Sequence, residues 1–231
     1  MSFSVAIIGN DGSGKTTIAN RLIDAQVVPS RYLYMGLSTL SSNMALPTSK
    51  IARLLKIREY KTRMNSESNV EKPKRNASHD LHHGGPKRGS LWKFLRFWNR
   101  LIEASWRQFL SWMYQAQGYV VIYDRHYFFD SAPRPGKDLK KMHWTDRLEY
   151  IFFRDILPKP ELVIFLDAPV DVLYKRKGES KIKVLEKRRN TIFEMGKNLD
   201  DFYIVDAQQP LNKVYEDVLN HLITFNNSNK K

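Results

Sequence analysis

Gly9-Asn10-Asp11-Gly12-Ser13-Gly14-Lys15-Thr16 stands between an apolar run, Phe3 to Ile8, and a helical pattern, Thr17 to Ala25. This is G-x-x-x-x-G-K-[ST] in the strand-to-helix setting that gives the pattern its meaning. The glycines let backbone N–H groups turn inward around a phosphate, and the N-terminus of the following helix adds its dipole. Lys15 is placed to reach β- and γ-phosphates and the Thr16 hydroxyl to hold Mg²⁺. Gly9 to Thr17 are therefore the candidate ATP-binding residues, with ATP and Mg²⁺ as the expected ligand and metal. A phosphate loop alone indicates only a nucleoside triphosphate, because kinases, GTPases and ATPase motors all carry one.

Working outward, short apolar runs recur at Tyr32 to Met35, Tyr119 to Tyr123, Leu162 to Leu166 and Phe202 to Val205, each separated from the next by longer helical patterns. That alternation predicts an α/β fold with a parallel sheet covered on both faces. The 231 residues suit a single domain over 1–231, interrupted by an insertion. Between Thr62 and Ser90 the composition turns to Asn, Ser, Lys, His, Gly and Pro, which predicts a basic, partly disordered insertion at about 60–90. Leu91 to Gln117 follows as one long amphipathic helix carrying Trp92, Trp98, Trp106 and Trp112. Its pattern reads first as a core-packing helix feeding the third strand, with a membrane-surface role as the alternative.

The net charge is +14, and Lys50 to Ser90 holds eleven Lys or Arg against four acids, half of that excess. Such a surface attracts nucleotides, nucleic acid and acidic lipid alike. With no cysteine in the chain, disulfides and thiolate metal sites are excluded, which suits the cytoplasm. The N-terminus runs straight into the phosphate loop and reads as a buried strand, not a signal peptide. No apolar stretch approaches the roughly 18 residues of a membrane span, so a soluble protein is expected.

Two more constellations narrow the chemistry. The third strand ends in Tyr123-Asp124-Arg125-His126, which puts a carboxylate and a guanidinium at a strand's carboxyl end beside the loop, where open α/β sheets bind ligands. Asp124 is a candidate for the Mg²⁺ shell or for orienting the acceptor, and Arg125 for clamping an anionic acceptor; a plain Asp-Arg ion pair is the alternative. The fourth strand runs into Leu166-Asp167-Ala168-Pro169, then Lys175-Arg176-Lys177-Gly178-Glu179 and Lys187-Arg188-Arg189, a lid-like basic segment at about 175–190. Phosphoryl transfer is catalysed mainly by positioning and charge neutralisation, which such a segment supplies, although solvated helix faces are often basic too.

GNDGSGKTT, the DRH after the third strand, LDAP with its KRKGE continuation, and FYIVDAQQP before the last helix occur in that order. In these four elements the chain resembles the thymidylate kinase family of P-loop nucleoside monophosphate kinases. The resemblance implies a three-layer α/β/α fold, a five-stranded parallel sheet of order 2-3-1-4-5, and a homodimer. It implies that Asp11 meets the acceptor's sugar hydroxyl, that Arg125 contacts the acceptor phosphate and that Arg176 begins the lid over the ATP phosphates. Asp206 and Ala207 then fall in the loop near the adenine, and the long helix supplies a further acceptor arginine from Arg96, Arg100 and Arg107. The candidate sets are thus catalytic Lys15, Asp124, Arg125 and Arg176; metal-binding Thr16 and Asp124; and acceptor-binding Asp11, Arg96, Arg100, Arg125 and His126.

The pattern departs from the family after DRH. There the family's Ser-Ala-Tyr-Gln pattern recognises the base, whereas this chain reads Tyr127-Phe128-Phe129-Asp130-Ser131-Ala132-Pro133. The catalytic half is kept and the acceptor half is rebuilt. The expected activity is transfer of the ATP γ-phosphoryl group to a small-molecule phosphate acceptor, a nucleoside monophosphate with dTMP first. The alternatives are a P-loop kinase for a nucleoside, sugar or sugar phosphate, and a nucleic-acid-binding P-loop ATPase suggested by the +14 charge. His79, Asp80, His82 and His83 form a weak metal-site candidate, more readily read as solvated loop residues. His126 and His143 read as acceptor-pocket residues, because kinase chemistry rarely needs a strong base.

Overall fold

The computed structural model describes residues 2–37, 46–47, 49–50, 54, 90–131, 142–178 and 181–228. The basic insertion at about 60–90 and the histidines within it lie outside the described residues.

Strand β1 (Ser4–Gly9) is buried at every position, and it leads through the phosphate loop into α1 (Lys15–Ala25). β2 (Ser30–Tyr34) precedes the long helix α2 (Ser90–Ala116), which feeds β3 (Val120–Asp124). Then come the short α3 (Tyr127–Asp130), α4 (Trp144–Ile151) with a π-helical turn over Phe152–Ile156, and β4 (Leu162–Asp167). α5 (Val170–Lys177), α6 (Ile182–Gly196), β5 (Phe202–Asp206) and α7 (Leu211–Ser228) complete the chain. All four pairings are parallel and the order is β2-β3-β1-β4-β5, so β1 is central. This is the sheet of a P-loop α/β kinase fold.

Side chains alternate between the faces of a strand, and here each face meets its own apolar layer. Val5 and Ile7 of β1 join Ile18 and Leu22 of α1 and Val214 and Val218 of α7 in one cluster. Ala6 and Ile8 join Leu33, Tyr123, Phe153 and Ile192 in the other. The near-continuous hydrophobicity of β1, β3 and β4 follows from having both faces covered.

The order also locates the site. The chain leaves β1 for β2 in one direction and later crosses to β4 in the other, so the connections diverge at the carboxyl end of β1, where doubly wound sheets bind ligands. The register sets Ile7 opposite Asp124 and Gly9 opposite Leu166, which brings the ends of β3 and β4 alongside the phosphate loop.

α2 differs from its reading as a core-packing helix. Its inner face carries Phe97 and Ala104 together with the buried polar side chains Glu103, Arg107, Gln108 and Ser111. Phe94, Leu95, Trp98, Ile102, Trp106, Phe109, Trp112 and Met113 are exposed on the opposite side, Phe109 by 53%. The polar side turns inward because it lines the cleft described next.

Candidate active site

The phosphate loop is shaped before any ligand is considered. Gly14 caps α1 in a left-handed conformation, φ +88°, and a Cβ there would meet nothing within 4 Å, so the space in front of the helix end is open. Lys15 is 5% exposed. Its Nζ donates to the Asn10 carbonyl at 2.6 Å and to Ser13 Oγ at 3.5 Å, folded back over its own loop. Burial above all, then the Arg125 cation, lowers its pKa to about 7, partly offset by Asp11.

Beside the loop, Thr16 Oγ1 donates to Asp124 Oδ2 at 2.6 Å, and the Tyr32 hydroxyl donates to the same oxygen at 3.0 Å. Asp124 Oδ1 is buried and has no hydrogen-bond partner among the described residues. A hydroxyl and an orphaned carboxylate oxygen at the mouth of a phosphate loop fit Mg²⁺ and its water shell, a hard cation that prefers oxygen ligands. Tyr32 was not singled out from the sequence, where it reads as one more apolar strand residue.

Arg125, next along the chain, adopts φ +65°, a conformation that few non-glycine residues take and that clusters at functional sites. It forms an ion pair with Asp11. Burial would raise the Asp11 carboxyl, but Arg125, Lys15 and Arg188 together hold it well below the usual carboxylate range. Burial works against the Arg125 cation, yet Asp130 and Asp11 keep it charged even more firmly than usual.

The lid-like segment falls on the end of α5 and the first half of α6, apart from residues 179–180, which lie outside the described residues. Arg176 Nη1 donates to the Ala207 carbonyl at 2.9 Å, joining this segment to the loop after β5. There Asp206 Oδ1 accepts from the Gln208 N–H at 2.9 Å. Arg189 makes a two-pronged contact with Asp167 at 2.6 Å, and Arg188 pairs with Asp130 of α3.

A narrow cleft of about 10 Å³, room for a single water, lies between α2 and the strand ends. It is lined by Gly36, Leu37, Arg100, Glu103, Ala104, Arg107, Tyr127 and Phe153. Among the three helix arginines, Arg107 is buried and donates through Nη1 to the Gly36 carbonyl at 2.7 Å. Arg100 pairs with Glu149 at 2.5 Å, and Arg96 is exposed.

His126 is placed away from the acceptor position expected of it. Its ring is wholly buried between Tyr123 and Tyr127, and Nδ1 accepts from the Phe128 N–H to cap α3. Burial lowers its pKa to about 3, so the ring is neutral across the physiological range. His143 likewise caps a helix, α4, through Thr145.

Taken together, the sheet order, the phosphate loop and the Thr16–Asp124 pair define a P-loop α/β kinase fold. No family model matches the chain. It is 32% identical over 106 residues to a probable thymidylate kinase 1 of Saccharolobus solfataricus, covering 43% of this chain and 52% of that protein. It is 29% identical over 121 residues to a probable thymidylate kinase of Metallosphaera sedula, covering 49% and 58%. The chain thus aligns with little more than half the length of these curated relatives, and over that part it is similar to them. Among the described residues no helix is long and apolar enough to cross a membrane, and no group of three or more His, Cys, Asp or Glu could hold a metal.

Proposed function

We propose that the chain is an ATP- and Mg²⁺-dependent kinase that transfers the γ-phosphoryl group of ATP to the phosphate of a nucleoside monophosphate, with dTMP the first acceptor to test. One observation carries this reading: the adjacent residues Asp124 and Arg125 serve two neighbouring stations, Asp124 holding Thr16 of the phosphate loop and Arg125 holding Asp11 beside the cleft. Donor and acceptor sites that share one wall are what a direct transfer between two bound phosphates requires. Similarity to two thymidylate kinases supports the same class.

In this reading the loop N–H groups and Lys15 cradle the donor phosphates, and an arriving anion restores the Lys15 charge that burial has weakened. Thr16 and Asp124 would hold Mg²⁺, whose charge would offset the negative charge of the phosphates. Arg125 binds the acceptor phosphate and orients its attacking oxygen, while Asp11 takes a sugar hydroxyl. Arg176, Arg188 and Arg189 supply further positive charge from the lid side. Because the transition state for phosphoryl transfer is loose, positioned cations do most of the work, and the neutral, buried His126 is not needed as a base. Arg107 is favoured over Arg96 and Arg100 as the helix arginine facing the acceptor, since it is the buried one that reaches Gly36.

We also assign the exposed apolar side of α2 to a second copy of the chain. A row of tryptophans and phenylalanines facing water on a +14 protein is costly unless covered, and like-charged copies meet best along a stripe without charge.

The test is an acceptor screen that follows ATP consumption with Mg²⁺ across nucleoside monophosphates, nucleosides and sugar phosphates, with Lys15→Ala as control. Turnover of a monophosphate that Lys15→Ala abolishes supports the proposal. Turnover only of unphosphorylated acceptors, or ATP hydrolysis stimulated by polynucleotide and lost at high salt, would replace it with one of the other two readings.

A further inference from the structure

Asn10, the second residue of the phosphate loop, is only 2% exposed, and its side chain is committed to another element. Nδ2 donates to the Leu185 carbonyl, in the first turn of α6, at 3.0 Å. The amide can face no other way, because a carbonyl accepts only from its nitrogen. Oδ1 is left buried with no hydrogen-bond partner among the described residues. Buried polar atoms without partners are rare enough to need a reason, and an apolar side chain at this position would leave no orphan. What an apolar side chain cannot do is grip α6.

The grip falls where it bears on the site. Leu185 is buried in the core, and Arg188 follows it by about one helical turn. Arg188 pairs with Asp130 of α3, and its charge lowers the pKa of both Asp11 and Lys15, so it stands close to the loop that holds its helix. On the main chain of the same residue, the Asn10 carbonyl receives Lys15 Nζ at 2.6 Å, the group that a bound phosphate would draw away. Asn10 therefore carries the phosphate-seeking lysine on its backbone and the basic helix on its side chain. The end of α5 also rests on the loop, by close packing: a Cβ on Gly12 would come within 3.2 Å of the Leu173 carbonyl.

We infer that Asn10 is a positioning residue: through its amide the phosphate loop holds the first turn of α6, so that filling the loop with nucleotide fixes Arg188 over the site. This goes beyond the kinase reading and rests on it only for the part Arg188 plays in transfer. A tether of this kind leaves the loop's own N–H groups free to bind phosphate, so its loss separates nucleotide binding from the ordering of α6. A purely structural tether would hold α6 equally with and without nucleotide.

Hydrogen exchange with and without Mg²⁺ and a non-hydrolysable ATP analogue tests this on wild type and Asn10→Ala. In wild type the analogue should slow exchange both in the phosphate loop and over residues 182–189; in Asn10→Ala it should slow the loop alone. Steady-state kinetics should show kcat down by about tenfold with the ATP KM within about threefold of wild type. In an Arg188→Ala background, Asn10→Ala should cost no more than about a further twofold, since both changes remove one device. The inference is overturned if the analogue protects 182–189 in Asn10→Ala as it does in wild type, if it protects them in neither, or if the two losses multiply. Should Asn10→Ala fail to fold, Asn10→Leu keeps the volume without the amide and is held to the same readings. Because exchange needs only the bound analogue, a chain that phosphorylates no monophosphate ends the kinase reading while the exchange comparison still decides the role of Asn10.

Discussion

Lys15 shows how a single residue can be read from sequence while its state cannot. The motif names it, but only burial within the folded loop and the approach of Arg125 bring its pKa down to about 7. Above pH 7 the ligand-free lysine is mostly neutral, and a bound triphosphate would return it to the charged form. ATP binding at pH 8 should therefore take up about one proton per site and weaken as pH rises further, whereas binding at pH 6 should draw none through Lys15. Calorimetry in buffers of different ionisation enthalpy reads this directly, and zero uptake at pH 8 would contradict the assignment. Arg125 carries the same lesson: DRH suggested its place, but the φ of +65° that turns it toward Asp11 is a property of the folded strand end.

Among elements, α3 depends on a histidine that looked like chemistry. His126 caps it from a fully buried position with a pKa lowered to about 3 by burial, against an ordinary value of 6.5. Between those values the unfolded chain binds a proton that the folded chain does not. The stability contributed by the neutral ring is therefore fully present above pH 6.5 and is lost as pH falls toward 3, by up to about 1.4 kcal/mol per pH unit. His126→Asn retains a capping side chain and removes the titration. It should be less stable at pH 7 but show a flatter decline in urea unfolding free energy from pH 6.5 to 4; parallel declines would count against the buried-cap account. α2 makes the complementary point. Its apolar period was legible, yet a period shows that a helix has two faces and not which one meets the protein. The sheet takes the side with Glu103 and Arg107, and Trp98, Trp106 and Trp112 are left outside.

At the scale of the whole molecule, the eight exposed apolar side chains of α2 would bury on the order of 100 Å² each. That is about 800 Å² per copy, the size of a standard two-protein interface. Sedimentation at micromolar concentration should find a dimer, and Ile102→Glu with Phe109→Glu should shift it to monomer while leaving the fold's unfolding transition in place. A wild-type monomer at tens of micromolar would remove the dimer proposal without touching the proposed active site, whose Lys15, Thr16, Asp124 and Arg125 a single chain brings together.

The sequence by itself determined the parallel sheet, its five strands to within a residue or two, the phosphate loop and the Asp124-Arg125 wall. These are local signals: an apolar run covered on both faces, a glycine-rich turn, a charge at a strand end. Only the tertiary structure decided that Arg107 and not Arg96 faces the cleft, that Tyr32 shares Asp124 with Thr16, that His126 is a buried cap, and that the Glu103 carboxylate lines the cleft. Those outcomes depend on which surface each helix and strand end presents to its neighbours, a choice made by packing between segments far apart in the chain.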